Sequence, residues 1–198
     1  MLNWAIIGCG RIAEKKHTEA IINNKDKYNL VAVCDIDEDR ANLVADIIEK
    51  SGMKRPKIYL DYHEMIKVED IHGASIATES GKHHQIAMDL LNADKNVLVE
   101  KPMALSISDI DEMIELSEKK DKKLGVCFQN RFNPPIQELR KKIEGNNFGD
   151  LLHGQISIRW NRNQGYYDQA KWRGTWEQDG GTLMNQCTHG IDLLLWTF

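Results

Sequence analysis

The chain has 198 residues, of which 41% are hydrophobic and 28% charged, with a formal net charge of −4. This composition is ordinary for a globular protein, and the slight acidity argues against an extended nucleic-acid surface, which needs an excess of basic residues. No apolar run approaches the roughly 20 residues of a membrane span. The N-terminus has no basic segment before its apolar stretch, so we expect no signal peptide, no membrane partner and a cytoplasmic location.

Over residues 1–128, short apolar runs alternate with stretches that have helical periodicity. The runs predicted as strands are 2–7, 30–34, 57–59, 74–77, 97–99 and 124–128. Helices are predicted over 11–23, 38–50 and 83–91, with another opening near 106–109. Continuous apolar strands that alternate with helices indicate a parallel sheet covered on both faces. The sequence therefore predicts an α/β, Rossmann-type doubly wound domain over residues 1–128.

A glycine-rich turn follows the first predicted strand. Gly8 can adopt backbone angles closed to other residues, Gly10 lets a pyrophosphate approach the main chain, and Ala13 is small enough for close packing of helix on strand. Helix residues Arg11 and Ile12 present main-chain N–H groups to the phosphates. The pattern predicts a dinucleotide cradle, and a glycine turn in some other α/β fold is the alternative.

The second predicted strand ends in Asp35. A carboxylate at that position accepts hydrogen bonds from the hydroxyls of an adenosine ribose and repels the 2′-phosphate of NADP. The predicted cofactor is therefore NAD.

Lys101 lies within Glu100-Lys101-Pro102, directly after the apolar run 97–99. The carboxyl end of a parallel strand is where α/β sheets bind ligands. Oxidation of an alcohol needs a proton acceptor beside the hydride acceptor, and Lys101 is the candidate if its pKa falls. Glu100 would orient the amine or raise its pKa. A solvated surface lysine before a proline turn is the alternative.

A polar stripe occurs late in the chain. At helical spacing Asn185, His189 and Asp192 share one face, and His189 could take part in proton transfer or hold a substrate hydroxyl. A core histidine bonded to a backbone carbonyl is the alternative. His83 and His84 diverge by about 100° on a helix and rarely share an ion, so no metal site is expected. Four well-separated cysteines are interpreted as reduced core residues: Cys9, Cys34, Cys127 and Cys187.

Residues 129–198 have a different pattern. We predict a helix over 132–143, a long strand with one solvated face over 152–160, a binding loop over 161–179 and a helix from Gly181 to Trp196. One clear strand cannot cover a core alone. We therefore expect 129–198 to be the opening of an incomplete α+β substrate and oligomerisation domain, in a truncated chain.

In this order the motifs resemble the Gfo/Idh/MocA oxidoreductase family. The matching elements are Gly8-x-Gly10-x-x-Ala13, Asp35, Thr78 to His83, Glu100-Lys101-Pro102 and Gly180-Gly181 through His189-x-x-Asp192. The resemblance implies an NAD-dependent dehydrogenase with Lys101 as the catalytic lysine and His189 as its helix partner. It also implies that Thr78, His83 and Glu100 belong to the cofactor site.

Two positions depart from the family pattern. Thr78-Glu79-Ser80 stands where Thr-Pro-Asn is common, which leaves a cofactor contact of Ser80 open. Asn185 stands where many members have an aspartate. Because a neutral amide cannot take a proton as that aspartate might, the proton transfer is expected to depend more on Lys101.

Three further segments resemble the UDP-N-acetylglucosaminuronate 3-dehydrogenases of lipopolysaccharide O-antigen biosynthesis: 129–134, 172–176 and 185–189. That resemblance implies oxidation of a nucleotide sugar at its C3 hydroxyl. The diphosphate and carboxylate of such a substrate suit bidentate arginines. The residues expected to bind substrate are Arg131, Arg159, Arg173, Asn185 and His189, with Arg162 nearby. Arginines on the solvent face of a sheet are the alternative.

Two other functions stay open at this point. One is another sugar or inositol dehydrogenase of the same family, and the other is a non-catalytic regulator that senses NAD or a sugar on the same fold. The resemblance further implies a homo-oligomer, dimer or tetramer, for the full-length protein.

Overall fold

Six parallel strands form the sheet of the first of two units. The structure, a computed structural model, describes residues 1–198, and these divide into Met1–Val126 and Cys127–Phe198. The strands are β1 Leu2–Ile7, β2 Tyr28–Cys34, β3 Lys57–Tyr59, β4 Gly73–Ile76, β5 Asn96–Val99 and β6 Leu124–Val126. Their order, β3-β2-β1-β4-β5-β6, is that of the doubly wound dinucleotide-binding fold. The predicted fold class is confirmed.

Helices cover both faces of this sheet. A π-helical segment, Ala13–His17, continues into α1, Thr18–Asn23. The others are α2 Glu38–Lys50, α3 Tyr62–Val68, α4 His83–Asn92 and α5 Ile107–Lys119, with a 3₁₀ turn at Ser80–Lys82. Alternation along β1 divides the core, since Ile6 packs in one apolar cluster while Ala5 and Ile7 pack in the other. None of the helices combines the length and apolarity needed to cross a bilayer.

The register of the sheet aligns the ends of four strands. Ile7 pairs with Cys34 on one side and with Ile76 on the other, and Ile76 pairs with Val99. The residue after each of these strands therefore falls at the same carboxyl edge. Those four residues, named here the edge row, are Gly8, Asp35, Ala77 and Glu100.

Two features require glycine at position 8: its backbone conformation and the lack of space for a side chain. Its φ is +90°, a left-handed value that side chains disfavour. A Cβ on Gly8 would lie 2.6 Å from the main-chain carbon of Ala77 and from the main-chain nitrogen of Thr78. The close approach of two strand ends thus admits only glycine.

The second unit is helical along its assigned elements. They are α6 Pro134–Glu144, α7 Gln164–Tyr167 and α8 Thr188–Thr197, with a 3₁₀ turn at Gln129–Phe132 and a π-helical segment at Leu183–Cys187. The helix predicted from Gly181 to Trp196 is therefore divided into π and α parts.

The strand expected over 152–160 is not formed, and that prediction was wrong. A strand needs a partner for its ladder, and no other segment of this unit is a strand. The period of two is nevertheless visible in the packing. Alternate residues of this segment, Gly154, Ile156 and Ile158, lie against the last helix and the residue after it. A Cβ added at Gly154 would meet Phe198, and one added at Gly190 would meet Ile156 and Ile158.

Gly8→Ala should destabilise the protein more than a left-handed backbone alone explains. Gly52 is the matched control, since its φ is +84° but a Cβ there would meet nothing within 4 Å. We expect Gly52→Ala to lower the free energy of unfolding by about 1–2 kcal/mol and Gly8→Ala by about 1–3 kcal/mol more. Urea unfolding followed by circular dichroism measures both. If both variants lost the same free energy of unfolding, the contact of the added Cβ with Ala77 and Thr78 would have no energetic cost.

Candidate active site

The glycine loop is fixed to the edge row by main-chain and carboxylate contacts. The Gly8 N–H donates to the Cys34 carbonyl at 2.8 Å, and the Ala77 N–H donates to the Ile7 carbonyl at 2.7 Å. The Cys9 N–H donates to Asp35 Oδ2 at 2.7 Å, and the Asp37 N–H donates to Asp35 Oδ1 at 2.9 Å.

Asp35 therefore shapes the loop as well as standing where a ribose is expected. Each of its carboxylate oxygens has one main-chain donor, and a carboxylate offers about four acceptor positions in all. The group still has acceptor capacity for two hydroxyls. This capacity fits the adenosine ribose of NAD.

The helix start beside Gly10 has room for a phosphate. A Cβ added at Gly10 would meet nothing within 4 Å, in contrast to Gly8. The first main-chain N–H groups of a helix have no acceptor within it, and here they belong to the turn that holds Arg11 and Ile12. Both side chains are exposed. Ala13 is fully buried in the core below.

His17 is a site residue that the sequence analysis missed. The π-helical segment turns Ala13 and His17 inward, leaves Glu14 half-buried and exposes Lys15 and Lys16. His17 Nε2 lies 3.0 Å from Glu100 Oε1, and both residues are 8% exposed. A histidine four residues after a small, packed helix residue is the signal that could have indicated it.

Glu100 is held in its charged form. Burial acts to raise its pKa, but the hydrogen bond and charge of His17, the Lys101 N–H and the Lys101 charge together lower the pKa below the usual 4.5. The Lys101 N–H donates to Glu100 Oε2 at 3.3 Å. Glu100 thus contacts His17 through one oxygen and the lysine main chain through the other.

Lys101 stands one residue past the edge row and is half-buried. The peptide bond from Lys101 to Pro102 is cis. The Pro102 carbonyl lies 2.8 Å from His83 Nδ1. The loop that carries Lys101 is therefore anchored from the start of α4.

His83 contacts main chain with both ring nitrogens, and its expected place in the cofactor wall stays a prediction. Nδ1 faces the Pro102 carbonyl and Nε2 faces the Thr78 carbonyl at 3.2 Å, with the residue 1% exposed. Burial lowers the pKa of His83 despite these carbonyls, which favours the neutral ring with a single N–H. His83 thus braces two loops, and half-buried Thr78 donates through Oγ1 to the Glu79 carbonyl.

The buried thiols near the loop are chemically quiet. The cysteines form no disulfide. Burial, followed by the charge of Asp35, raises the pKa of Cys9 and raises that of Cys34 to about 12. Both are protonated near neutral pH and act as small core residues.

Arg173 and Tyr167 line a cavity in the second unit, and Arg173 also contacts two further aromatic rings. Arg173 donates from Nη1 to the Tyr166 hydroxyl at 2.6 Å, and its guanidinium lies 4.5 Å from the Tyr166 ring centre and 4.8 Å from that of Trp172. The Arg162 guanidinium lies 4.8 Å from the Tyr166 ring centre and donates to Gln186 Oε1 at 3.1 Å. The cavity measures about 430 Å³ and is lined by Tyr167, Arg173, Gly174, Asp179, Gly181, Thr182 and Gln186.

Arg131 has a different partner from the one expected. Its guanidinium forms a two-bond pair with the buried carboxylate of Asp192, with Nε donating to Oδ2 at 2.8 Å. It also lies over the rings of Phe128 and Trp196. Because Asp192 occupies this fork, Arg131 holds α8, and its expected contact with a substrate stays a prediction. Arg159 is exposed and lies outside the cavity lining.

The three polar residues predicted to share one face of the last helix, Asn185, His189 and Asp192, have different neighbours. His189 is half-buried, with its ring 6.1 Å from the Phe128 ring at 82°. Asn185 is buried and donates to Asp179, another residue that the sequence analysis missed. Asp192 serves the pair with Arg131.

This combination of sheet order, glycine loop and edge-row carboxylate defines a dinucleotide-binding oxidoreductase fold. Residues 2–128 match the oxidoreductase family with an NAD-binding Rossmann fold, and residues 136–198 match the Gfo/Idh/MocA C-terminal domain. The chain belongs to the Gfo/Idh/MocA oxidoreductase family. The expected family and the expected cofactor, NAD, are confirmed.

Solved structures resemble the chain along its whole length. The WlbA dehydrogenase from Chromobacterium violaceum, in complex with NADH and UDP-GlcNAcA, is 36% identical with a TM-score of 0.91, covering 100% of this chain and 55% of that one. The WlbA dehydrogenase from Bordetella pertussis, in complex with the same two ligands, is 34% identical with a TM-score of 0.90, covering 99% and 57%.

Curated relatives include inositol 2-dehydrogenase from Salmonella typhimurium, 31% identical over 78% of this chain and 45% of the relative. Oxidoreductase P35 from Formosa agariphila is 29% identical over 98% of this chain and 59% of the relative. The chain thus spans about half the length of these relatives.

Glu100 should contribute to stability in a pH-dependent way. A carboxyl whose pKa falls on folding stabilises the folded state above its ordinary pKa, here 4.5, and loses that contribution as the pH falls through the lowered value. We expect the stability advantage of the wild type over Glu100→Gln to be full above pH 4.5 and to shrink below it. Urea unfolding from pH 6 to pH 3 measures the difference. Exposed Glu118→Gln is the control, and an advantage for Glu100 that does not change with pH would contradict a lowered Glu100 pKa.

Gly10→Ala should separate folding from cofactor binding. The added Cβ meets no protein atom but occupies the space through which a pyrophosphate approaches. We expect the melting temperature to change little and the affinity for NAD, measured by calorimetry, to fall about 10-fold or more. Gly52→Ala is the control for NAD affinity. Unchanged NAD affinity in Gly10→Ala would place the pyrophosphate elsewhere.

Proposed function

We propose that this protein is an NAD-dependent dehydrogenase that oxidises a hydroxyl of a nucleotide sugar to a ketone. The observation that carries the proposal is the position of Lys101, which follows Glu100 at the carboxyl end of β5, in register with the glycine loop and Asp35. That edge is where a doubly wound sheet binds its dinucleotide. When bound, NAD supplies the hydride acceptor.

Lys101 is proposed to accept the proton of the substrate hydroxyl. An ammonium must first lose its proton, and a nearby positive charge favours that loss. Glu100 opposes it, but His17 shares the charge of this carboxylate through a 3.0 Å contact. In the proposal, His17 and Glu100 fix the loop of Lys101, and His83 braces the same loop through the Pro102 carbonyl.

The second unit is proposed to bind the sugar nucleotide. His189 would orient the reacting hydroxyl or relay its proton, and Asn185 would act as a neutral neighbour one turn earlier. Arg173 and Arg162, held against aromatic faces, suit a diphosphate or a carboxylate.

UDP-N-acetylglucosaminuronate, oxidised at C3, is the proposed substrate. Support comes from the two WlbA structures, which hold NADH and UDP-GlcNAcA and resemble this chain at 36% and 34% identity. The match covers the cavity and its arginines as well as the first unit.

A place in lipopolysaccharide sugar biosynthesis, a cytoplasmic location and a homo-oligomeric full-length protein remain part of this proposal. So does the division into a cofactor domain, 1–128, and a substrate domain, 129–198.

An inositol dehydrogenase is the second candidate. It is favoured by relatives such as the Salmonella typhimurium inositol 2-dehydrogenase, which is 31% identical. Inositol carries neither phosphate nor carboxylate, so this function would leave Arg173 and Arg162 without an anionic ligand.

Lys101→Met should abolish turnover and leave NAD binding intact. The substitution keeps the length of the side chain and removes the amine. We expect kcat to fall about 10²–10⁴-fold, the range for loss of a general base, with the affinity for NAD changed less than about 3-fold. NADH formation is followed by absorbance with UDP-N-acetylglucosaminuronate, UDP-N-acetylglucosamine and myo-inositol.

Exposed Lys119→Met is the matched control and should behave as the wild type. Turnover of the uronate alone supports the substrate, because UDP-N-acetylglucosamine lacks only the carboxylate. Oxidation of myo-inositol instead would favour the second candidate. Near-normal turnover by Lys101→Met would overturn the role of the lysine.

A further inference from the structure

A buried histidine in the helical segment after the glycine loop contacts the carboxylate that precedes Lys101. His17 Nε2 lies 3.0 Å from Glu100 Oε1, and each of the two residues is 8% exposed. The other oxygen, Glu100 Oε2, accepts the Lys101 N–H at 3.3 Å. The three residues therefore form one short polar chain from the cofactor loop's helix to the candidate catalytic lysine.

The charge of Glu100 fixes which atom of His17 carries a hydrogen. Burial acts to raise the pKa of Glu100, but His17 and Lys101 together bring it below the usual 4.5. A carboxylate only accepts hydrogen bonds, so Nε2 of His17 must carry a hydrogen and donate it. This N–H offsets part of the negative charge of Glu100, and a protonated ring would offset all of it.

The same carboxylate acts on the Lys101 amine. The positive charge of Lys101 stabilises ionised Glu100. Because the attraction between two charges is mutual, Glu100 in turn stabilises the ammonium form of Lys101. Only the neutral amine can accept a proton from a hydroxyl. A buried carboxylate without a partner would therefore hold Lys101 in the form that cannot act as a base.

We propose that His17 is a positioning residue that offsets the charge of Glu100, so that the Lys101 amine loses its proton at a lower pH than beside an unpaired carboxylate. The inference rests on the proposed function, in which Lys101 acts as a base. It also goes beyond the fixing of the loop, which needs only a contact between His17 and Glu100. This role requires His17 to change the acidity of a third group.

Two other titratable groups of the first unit belong to the same surroundings. They are His83 and Glu79. Burial favours the neutral ring of His83, on which the charges of Glu100 and Glu79 both act. His83 and Glu79 are unchanged in every variant compared below, so a difference between variants reports on the contact of His17 with Glu100.

The titration of Lys101 can be measured without a sugar substrate. Competitive labelling of the protein with acetic anhydride, with mass spectrometry of the peptide that holds Lys101, gives the pH midpoint at which its amine loses its proton. The variants to compare with the wild type are His17→Leu, Glu100→Gln and the double variant His17→Leu/Glu100→Gln. Exposed Lys119 is the internal reference in each sample.

We expect His17→Leu to raise the Lys101 midpoint by about 0.5–1.5 pH units and Glu100→Gln to lower it, because the first uncovers a negative charge and the second removes it. In the Glu100→Gln background, His17→Leu should shift the midpoint by less than about 0.3 pH units, since no charge is left to offset. His84→Leu breaks a more exposed pair, 3.1 Å from Glu112, and is the matched control that should leave the midpoint unchanged.

Thermal melts check that each variant is folded, since loss of one partner of a buried pair is destabilising. His17→Phe, which keeps a ring but has no donor, replaces His17→Leu if the leucine variant does not fold. A Lys101 midpoint that His17→Leu leaves unchanged, or raises equally with and without Glu100, would overturn the inference.

Kinetics with UDP-N-acetylglucosaminuronate connect the titration to the reaction. The acidic limb of the pH profile of kcat should move to higher pH in His17→Leu, in step with the labelled midpoint. A limb that stays in place while the midpoint moves would overturn the role of His17 in the reaction. If the wild type forms no NADH from the uronate, the proposed substrate fails, and the labelling still decides whether His17 controls the titration of Lys101.

Discussion

The register of the parallel strands is the constraint from which the cofactor site follows. Ile7, Cys34, Ile76 and Val99 lie in one row of the sheet, so the residues after them emerge side by side. Two of these are carboxylates, one fixing the glycine loop and one bonded to His17. A shift of one residue in the register of any strand would move its side chains to the other face of the sheet, and its last residue would no longer align with the other three. Close approach of strand ends explains why the first position of the row is glycine.

Buried polar contacts fix loops in the first unit and a helix in the second. In the first unit His17, Glu100 and His83 fix the loops on either side of Lys101. In the second, Asp192 takes the guanidinium of Arg131 and thereby fixes α8. Such buried pairs add little net stability compared with apolar packing, but loss of one partner leaves the other buried and unsatisfied. Their value is to restrict the orientations available to the neighbouring side chains.

Local sequence patterns predicted the fold and the glycine turn after β1 because apolar runs and glycines act on neighbouring residues. The short helix α3 was missed even though Asp61 caps it through the His63 N–H, since its apolar face is small. His17 could not be linked to Glu100 because 83 residues separate them and only the sheet order brings them together. The pairing of Arg131 with Asp192 was missed for the same reason, since 61 residues separate them and no local pattern indicates the contact.

A crystal structure of the protein with bound NAD tests the central claim most directly. The account predicts the pyrophosphate against Gly10 and the first main-chain N–H groups of the following helix, and the adenosine ribose on Asp35. It predicts the nicotinamide ring at the end of β5, within reach of the Lys101 amine. A dinucleotide bound away from the edge row, or a nicotinamide ring that the Lys101 amine cannot approach, would contradict it.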